Sequence, residues 1–508
     1  MNLIIALLPF ICVFVFLFVL KQTSLKSGLL SYAATLLIIL IYPNYRIALE
    51  GALHASFKGF LISFVAAYVL FFGILFFHLI NNIGGIQTIA AFISGATNDQ
   101  LLQVILLVMG LSPLLESTSG FGIAFMIVAP ILIALGFPPI KAASIGLVSL
   151  LAVPWGALST GTVIGAQIGG IALKEVGTGT AIISIPIFIY FLIIAVYLAG
   201  GKEAIRHTWK EILFISIVFS LTMILFNVFV SVELAGVLSS LASSFIGLLI
   251  IKIKNSSQLK MANKTINETS MSEKTEESIS IIKVMSPYLF LTISIFATRL
   301  IPLFKDFLES NFVLELPTFS FSLALLYSPG FWLFITCLYT IFIFKISKNV
   351  IWSSIKTTIK QWVPFVISTT AFVAISQLMT ASNMTFTIAN AAGLMFGTLF
   401  IYVSPFIGGI GGFLTGSNTG SNAMFTQLQV QTATKTGLPL NLVASIQNAS
   451  SSHATMACPS RIALGATLCG IESEENSLLK KMTLIVVGAI LLIIIMTIIL
   501  LLLGDYSK

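Results

Sequence analysis

Apolar runs long enough to cross a bilayer recur along nearly the whole of this 508-residue chain. A helix needs about 20 such residues to span the hydrocarbon core. The pattern predicts spanning helices near 3–20, 28–42, 58–80, 180–199, 212–230, 232–251, 284–302, 321–344, 361–380, 385–403 and 482–503. Two stretches interrupt it. Residues 112–165 open with Ser112-Pro113-Leu114-Leu115-Glu116-Ser117-Thr118-Ser119-Gly120-Phe121-Gly122. Residues 404–461 open with Ser404-Pro405 and run into Thr415-Gly416-Ser417-Asn418-Thr419-Gly420-Ser421-Asn422. Backbone broken by Gly and Pro, and lined by hydroxyls and amides, survives at membrane depth only against other protein or a cavity. Short helices in these regions bring the expected total to roughly 12–14 crossings. The predicted fold class is an all-α polytopic membrane protein with broken or re-entrant helices at mid-membrane. In secondary transporters, such helices hold the substrate.

Composition narrows the function classes. The chain is 57% hydrophobic and 9% charged, with a mean hydropathy of +1.05. Soluble domains carry about 25% charge, so a soluble enzyme is excluded. The first apolar run is too long for a signal peptide and lacks a cleavage site, so it reads as a permanent helix. Net charge is +8, from 26 Lys and Arg against 18 Asp and Glu. Those basic residues sit in short loops between spans, which is an orientation signal, and no basic-aromatic groove pattern points to nucleic acid. Cys12, Cys337, Cys458 and Cys469 are scattered, with neither disulfide nor metal spacing. No phosphate loop, metal-ligand pair or nucleophile elbow is present. An enzyme, a metal and a cofactor are therefore not expected.

The polar segment 252–283 cannot bury a core, and it is expected to be a flexible cytoplasmic linker. It would separate an N-terminal transmembrane half, 1–251, from a C-terminal half, 284–508. Lys21, Lys26, Lys202, Arg206, Lys210, Lys345, Lys348, Lys356 and Lys360 all fall on the linker's side if the N-terminus is outside. Asp306, Glu309 and Glu315 then lie outside. The halves share a pattern. Each opens its polar region with Ser-Pro, reaches Gly136-Phe137-Pro138 or Gly437-Leu438-Pro439, and continues into Ala-Ser-Ile. The later elements keep an offset of 301 residues, whereas the Ser-Pro elements are offset by 292, so the second half carries about nine extra residues. Charge-derived orientation gives the two repeats opposite senses, an inverted pair.

Glu116 is the sharpest candidate residue. A carboxylate at membrane depth is costly by a few kcal/mol on the mildest scale. It must be paired, hydrated or neutralised by a proton, or else cap a helix. Ser117, Thr118, Ser119 and Gly120 extend this segment; they offer an anion donors at a helix end, or simply small side chains for helix packing. Ser417, Asn418, Thr419, Ser421 and Asn422 form a second polar wall, able to hold a carboxylate or a cation. Asn448 and His453 belong to a third cluster. His453 could join a proton relay or serve structurally. Arg461 could clamp a carboxylate or snorkel to the headgroups.

At these residues the chain resembles the lactate permease family of bacterial proton-coupled transporters. The likeness runs through Leu115-Glu116 to Gly120-Phe121-Gly122, Leu135-Gly136-Phe137-x-Pro139, Phe413 to Thr419 with Ser421-Asn422-Ala423, and Gln447-Asn448 to Pro459. Two places depart from the family pattern. Ser117-Thr118-Ser119-Gly120 stands for Gly-Ala-Ala-Gly, and Cys458-Pro459-Ser460-Arg461 stands for Ser-Pro-Gln-Ser. The resemblance implies a plasma-membrane importer of L-lactate or related 2-hydroxy acids, coupled to protons. The Ser-Asn-Thr stretch also looks like that of sodium-coupled di- and tricarboxylate transporters, which implies an elevator movement and leaves sodium coupling as the alternative. The expected partners are a small carboxylate, protons and the bilayer, with a homodimer left open.

Overall fold

The computed structural model describes the chain except for Phe121, 263–279 and 505–508. The first half runs through α1 (Asn2–Phe14), α2 (Ser24–Ile41), α3 (Leu49–Asn82), α4 (Gly85–Gly95), α5 (Gln100–Leu106), α6 (Ser112–Ser119), α7 (Ile123–Ala134), α8 (Pro139–Val148), α9 (Gly156–Gly169), α10 (Leu173–Phe229) and α11 (Val232–Ala262). The second begins with α12 (Ile281–Leu300) and α13 (Pro302–Ser310). A hairpin of β1 (Val313–Leu316) and β2 (Phe321–Ala324) comes next. The chain then continues as α14 (Pro329–Phe344), α15 (Lys348–Ala381), α16 (Met384–Phe396), α17 (Phe400–Thr415), α18 (Asn418–Thr436), α19 (Leu440–Ala454), α20 (Pro459–Cys469) and α21 (Glu475–Leu502).

Among the described residues, ten helical stretches are long and apolar enough to cross a membrane, or eleven with the bent pair Pro139–Val148 and Val153–Gly169. The fold is all-α and polytopic. One stretch, α10, is 57 residues long. At 1.5 Å per residue this is roughly 85 Å, far more than the roughly 30 Å of hydrocarbon. It folds back at Gly201, whose φ is 73°, beside the polar run from Lys202 to Lys210. Two passes result, as the hydropathy pattern predicts. The span expected at 321–344 is shorter. Its first residues pair as β2 with β1, and Ser328 caps α14, accepting from the Gly330 N–H. Of the expected linker 252–283, residues 263–279 lie outside the described residues. The rest is helical apart from Ser280, which precedes the first turn of α12: α11 continues to Ala262 and α12 begins at Ile281.

The repeat is visible element by element. α3 and α15 are each 34 residues long. Each ends in a left-handed residue, Gly84 or Asn383, that starts a short helix, α4 or α16. Gly136 and Gly437 then occupy matching positive-φ turns. The surplus of the second half falls on the helices themselves: α18 has 19 residues where α7 has 12. The equivalent helices α3 and α15 run antiparallel. Asn82, at the end of α3, donates to Ser354, near the start of α15, at 2.9 Å. Gly59, near the start of α3, lies so close that a Cβ there would stand 2.7 Å from Cα of Ala374. Related helices packed head to tail are what an inverted repeat produces.

Candidate functional site

Each half contains two interrupted helices, and all four interruptions meet. The chain breaks between α6 and α7, α8 and α9, α17 and α18, and α19 and α20. Around the breaks lies a cavity of about 420 Å³. The first break supplies Glu116 and Gly120. The second supplies Gly156, Ala157, Thr160 and Gly161. The third supplies Gly416, Ser417, Asn418 and Thr419, and the fourth Arg461. Leu70 of α3 and Phe365 of α15 add apolar walls. Ala157, Leu158 and Ser159 hold left-handed backbone, with φ of 37°, 50° and 68°. Such a conformation costs an L-residue roughly 1–2 kcal/mol. Strain of this kind persists only where surrounding structure imposes it.

Glu116 is 1% exposed. Its Oε1 accepts from the Gly122 N–H at 3.1 Å, so it caps the N-terminus of α7. Its Oε2 has no partner among the described residues. Arg461 is 8% exposed and donates from Nη1 to Thr455 Oγ1 at 3.1 Å. Its guanidinium lies on Gly122, where a Cβ would meet Cζ at 3.1 Å. Among the described residues no ion pair joins Glu116 and Arg461. A carboxylate and a guanidinium thus face one cavity without closing on each other.

The third break presents a helix end. Ser417 Oγ accepts from the Gly420 N–H at 3.1 Å. The first turn-closing bond is Ser421 N–H to the Ser417 carbonyl, at 3.0 Å. The N–H groups of Asn418 and Thr419 precede that bond, at the positive end of a 19-residue helix. The segment entering α20 reaches both outer breaks. Cys458 packs on Gly416, whose Cβ would lie 2.8 Å from Sγ, and Arg461 packs on Gly122.

A buried amide network supports this wall. Asn448 Oδ1 accepts from Asn418 at 2.9 Å and Asn422 at 2.8 Å, and its Nδ2 donates to Thr162 and Thr180, both at 2.9 Å. Asn422 also donates to the Gly161 carbonyl at 3.0 Å. Ser404, Gln429 and Gln447 continue the chain of bonds to Ser421 and Asn422. Two stripes at helical spacing bring the halves together. Gly161, Gly165 and Gly169 of α9 lie on Asn418, Asn422 and Thr426 of α18. A Cβ on Gly161 would stand 2.5 Å from Asn418 Nδ2, so only glycine admits this approach.

A family model described as L-lactate permease matches residues 2–325 and 315–505. The chain belongs to the L-lactate permease family. Glycolate permease GlcA of Escherichia coli (strain K12) is 26% identical over 522 residues, covering 94% of this chain and 92% of the relative. The L-lactate permease of Streptococcus iniae is 26% identical over 436 residues, covering 85% of this chain and 90% of the relative. That of Bacillus subtilis (strain 168) is 26% identical over 524 residues, covering 94% and 91%. The chain is a multi-pass membrane protein, and its family transports rather than transforms.

Within this fold, the residues singled out by sequence divide into four groups. Glu116, Gly120, Ser417, Asn418, Thr419 and Arg461 line the cavity. Ser421, Asn422 and Asn448 lie behind it, in the amide network. Ser117, Thr118 and Ser119 are buried beside it but do not line it. Thr118 and Ser119 return their hydroxyls to the Leu114 and Leu115 carbonyls of their own helix, and Ser117 packs on Gly236 of α11. His453 lies elsewhere, with Nε2 3.1 Å from Ser184 Oγ and its ring against Phe188 and Phe191. Sequence reasoning passed over Gly156, Ala157, Gly161, Leu70 and Phe365. The Pro154-Trp155-Gly156 run was the signal for the second break. Leu70 and Phe365 gave none, being apolar residues inside apolar helices.

Proposed function

We propose that this chain is a secondary transporter that carries a small 2-hydroxy monocarboxylate, such as L-lactate or glycolate, together with a proton across the plasma membrane. The carrying observation is the unclosed couple of Glu116 and Arg461 facing one cavity. The names of the relatives support the substrate class. Arg461 takes the substrate carboxylate, because a guanidinium offers paired donors to a carboxylate. The N–H groups at the start of α18 and the Ser417 and Thr419 side chains hold the same anion or its 2-hydroxyl.

Proton coupling follows from charge. With Glu116 ionised, the cavity holds one negative and one positive group. A substrate carboxylate adds a second negative charge in a low dielectric. Two carboxylates sharing one site do not both stay ionised, so the anion enters with a proton, carried by Glu116. The β-hairpin and the start of α3 gather at one end, where His54 Nε2 lies 3.1 Å from the Thr318 carbonyl. Thr23 to Lys26 at the start of α2, and Gln361 to Phe372 in the middle of α15, line a cavity of about 1020 Å³ that shares Phe365, Gly416 and Ser417 with the central one.

The test is uptake of labelled L-lactate into proteoliposomes under an imposed pH gradient, with sodium exchanged for potassium in a parallel arm. Accumulation driven by the pH gradient and indifferent to sodium is the expected result. Accumulation that follows sodium instead would make the coupling ion sodium. No uptake of any short hydroxy acid would sink the proposal.

A further inference from the structure

A second, half-buried glutamate–arginine couple lies one wall away from the first. A cavity of about 620 Å³ is bounded by Val65 and Val69 of α3, Thr160 of α9, Glu233 of α11, Arg299 of α12 and Tyr327. Thr160 lines both this cavity and the central one. Arg299 is half-buried as a residue, with its side chain 5% exposed. Nη2 donates to Glu233 Oε1 at 3.2 Å and Nη1 to the Tyr327 carbonyl at 3.1 Å. The guanidinium stacks 3.6 Å from the Tyr327 ring centre. A guanidinium carries five N–H donors, so both contacts leave donors for a further acceptor. Glu233 sits in the first turn of α11, where the helix end favours a negative charge even without a cation partner. That turn is tied to the strained break of α9 by Ser159 Oγ, which donates to the Val232 carbonyl at 2.9 Å.

We propose that this outer cavity is a second binding site for the small carboxylate, with Arg299 as its ligand and Glu233 as the built-in carboxylate that the substrate displaces. Displacement exchanges one ion pair for another, and the freed Glu233 keeps its place at the helix end. The substrate then stands across Thr160 from Arg461. The inference rests on the reading of the chain as a carboxylate transporter.

Two variants with opposite expected signs test it, in the proteoliposome assay with labelled L-lactate. Arg299→Gln removes the ligand, and KM rises about tenfold, the loss of one hydrogen bond to a charged group. Glu233→Gln removes the competitor, and KM falls several-fold. Arg299→Lys restores part of the affinity, because charge returns without the paired donors. A merely structural clamp predicts otherwise: both Gln variants would lose stability and transport together. KM moving the same way in both, or in neither, overturns the second site while leaving the central one standing. If Arg299→Gln does not fold, the direction of the KM change in Glu233→Gln decides alone. A wild-type chain that takes up no hydroxy acid overturns both readings.

Discussion

Two glutamate–arginine couples share a wall in this molecule, and they stand in opposite states. Glu233 and Arg299 touch at 3.2 Å. Glu116 and Arg461 share a cavity but form no ion pair. The difference lies in what holds each charge. Glu116 is drawn toward the α7 end by the Gly122 N–H. Arg461 is drawn toward Thr455 and lies flat on Gly122. Backbone that is broken, and therefore unpaired, competes for the carboxylate, and the Thr455 hydroxyl competes for the guanidinium. In the outer couple the arginine meets only a carbonyl and an aromatic face, so it closes on the carboxylate. A closed pair must first be opened by its ligand; one held open by its surroundings is already preorganised for a third party.

The largest effect should come from cutting the open couple. Arg461→Gln should lower uptake efficiency by roughly 10- to 100-fold, as expected for a hydrogen bond between charged groups worth about 1.5–3 kcal/mol. Labelled uptake measures it, and a loss no larger than that of Arg299→Gln would erase the distinction between the couples. Next, Glu116→Gln should abolish accumulation under a pH gradient while leaving substrate counterflow, which needs no net proton movement. Normal pH-driven uptake would remove Glu116 from the coupling role. Gly122→Ala sharpens the comparison from the backbone side. Its methyl would meet Arg461 Cζ at 3.1 Å, at a φ of 74°, and press the guanidinium toward Glu116. Uptake should fall several-fold, together with a strain cost of about 1–2 kcal/mol seen as a lower Tm. Gly161→Ala touches neither couple but acts on the seam between halves, where the glycine also lines the central cavity. Overpacking against Asn418 should cost about 1–3 kcal/mol, again read as Tm, with a modest rise in KM in whatever protein folds.

Much of the fold was legible because hydropathy and helix breaking are local. The long apolar runs appear as spans, and Ser-Pro and Gly-x-Pro mark the ends of broken helices. The span expected at 321–344 shows the limit. Apolarity alone does not separate a membrane helix from a β-strand feeding one, and Ser328-Pro329 was the actual start signal. The site was legible in part. Glu116, Asn418 and Arg461 stand out because polar groups are rare in such surroundings. Ser117 to Ser119 stand out equally, yet Thr118 and Ser119 turn their hydroxyls back on their own helix, a choice available to every Ser and Thr. Nor does a sequence show that Asn422 and Asn448 bond to Gly161, Thr162 and Thr180 across the halves rather than to a ligand.

By itself, then, the sequence determined that the chain is a many-helix membrane protein, that it breaks at two polar regions, and that those regions are related. The tertiary structure decided which polar groups face open space. It also decided that one carboxylate closes on its arginine while the other does not. The reason is distance along the chain. A break is made by neighbours such as Gly120 and Gly122. The cavity is made by Glu116 and Arg461, which lie in different halves and meet only when two antiparallel repeats pack together.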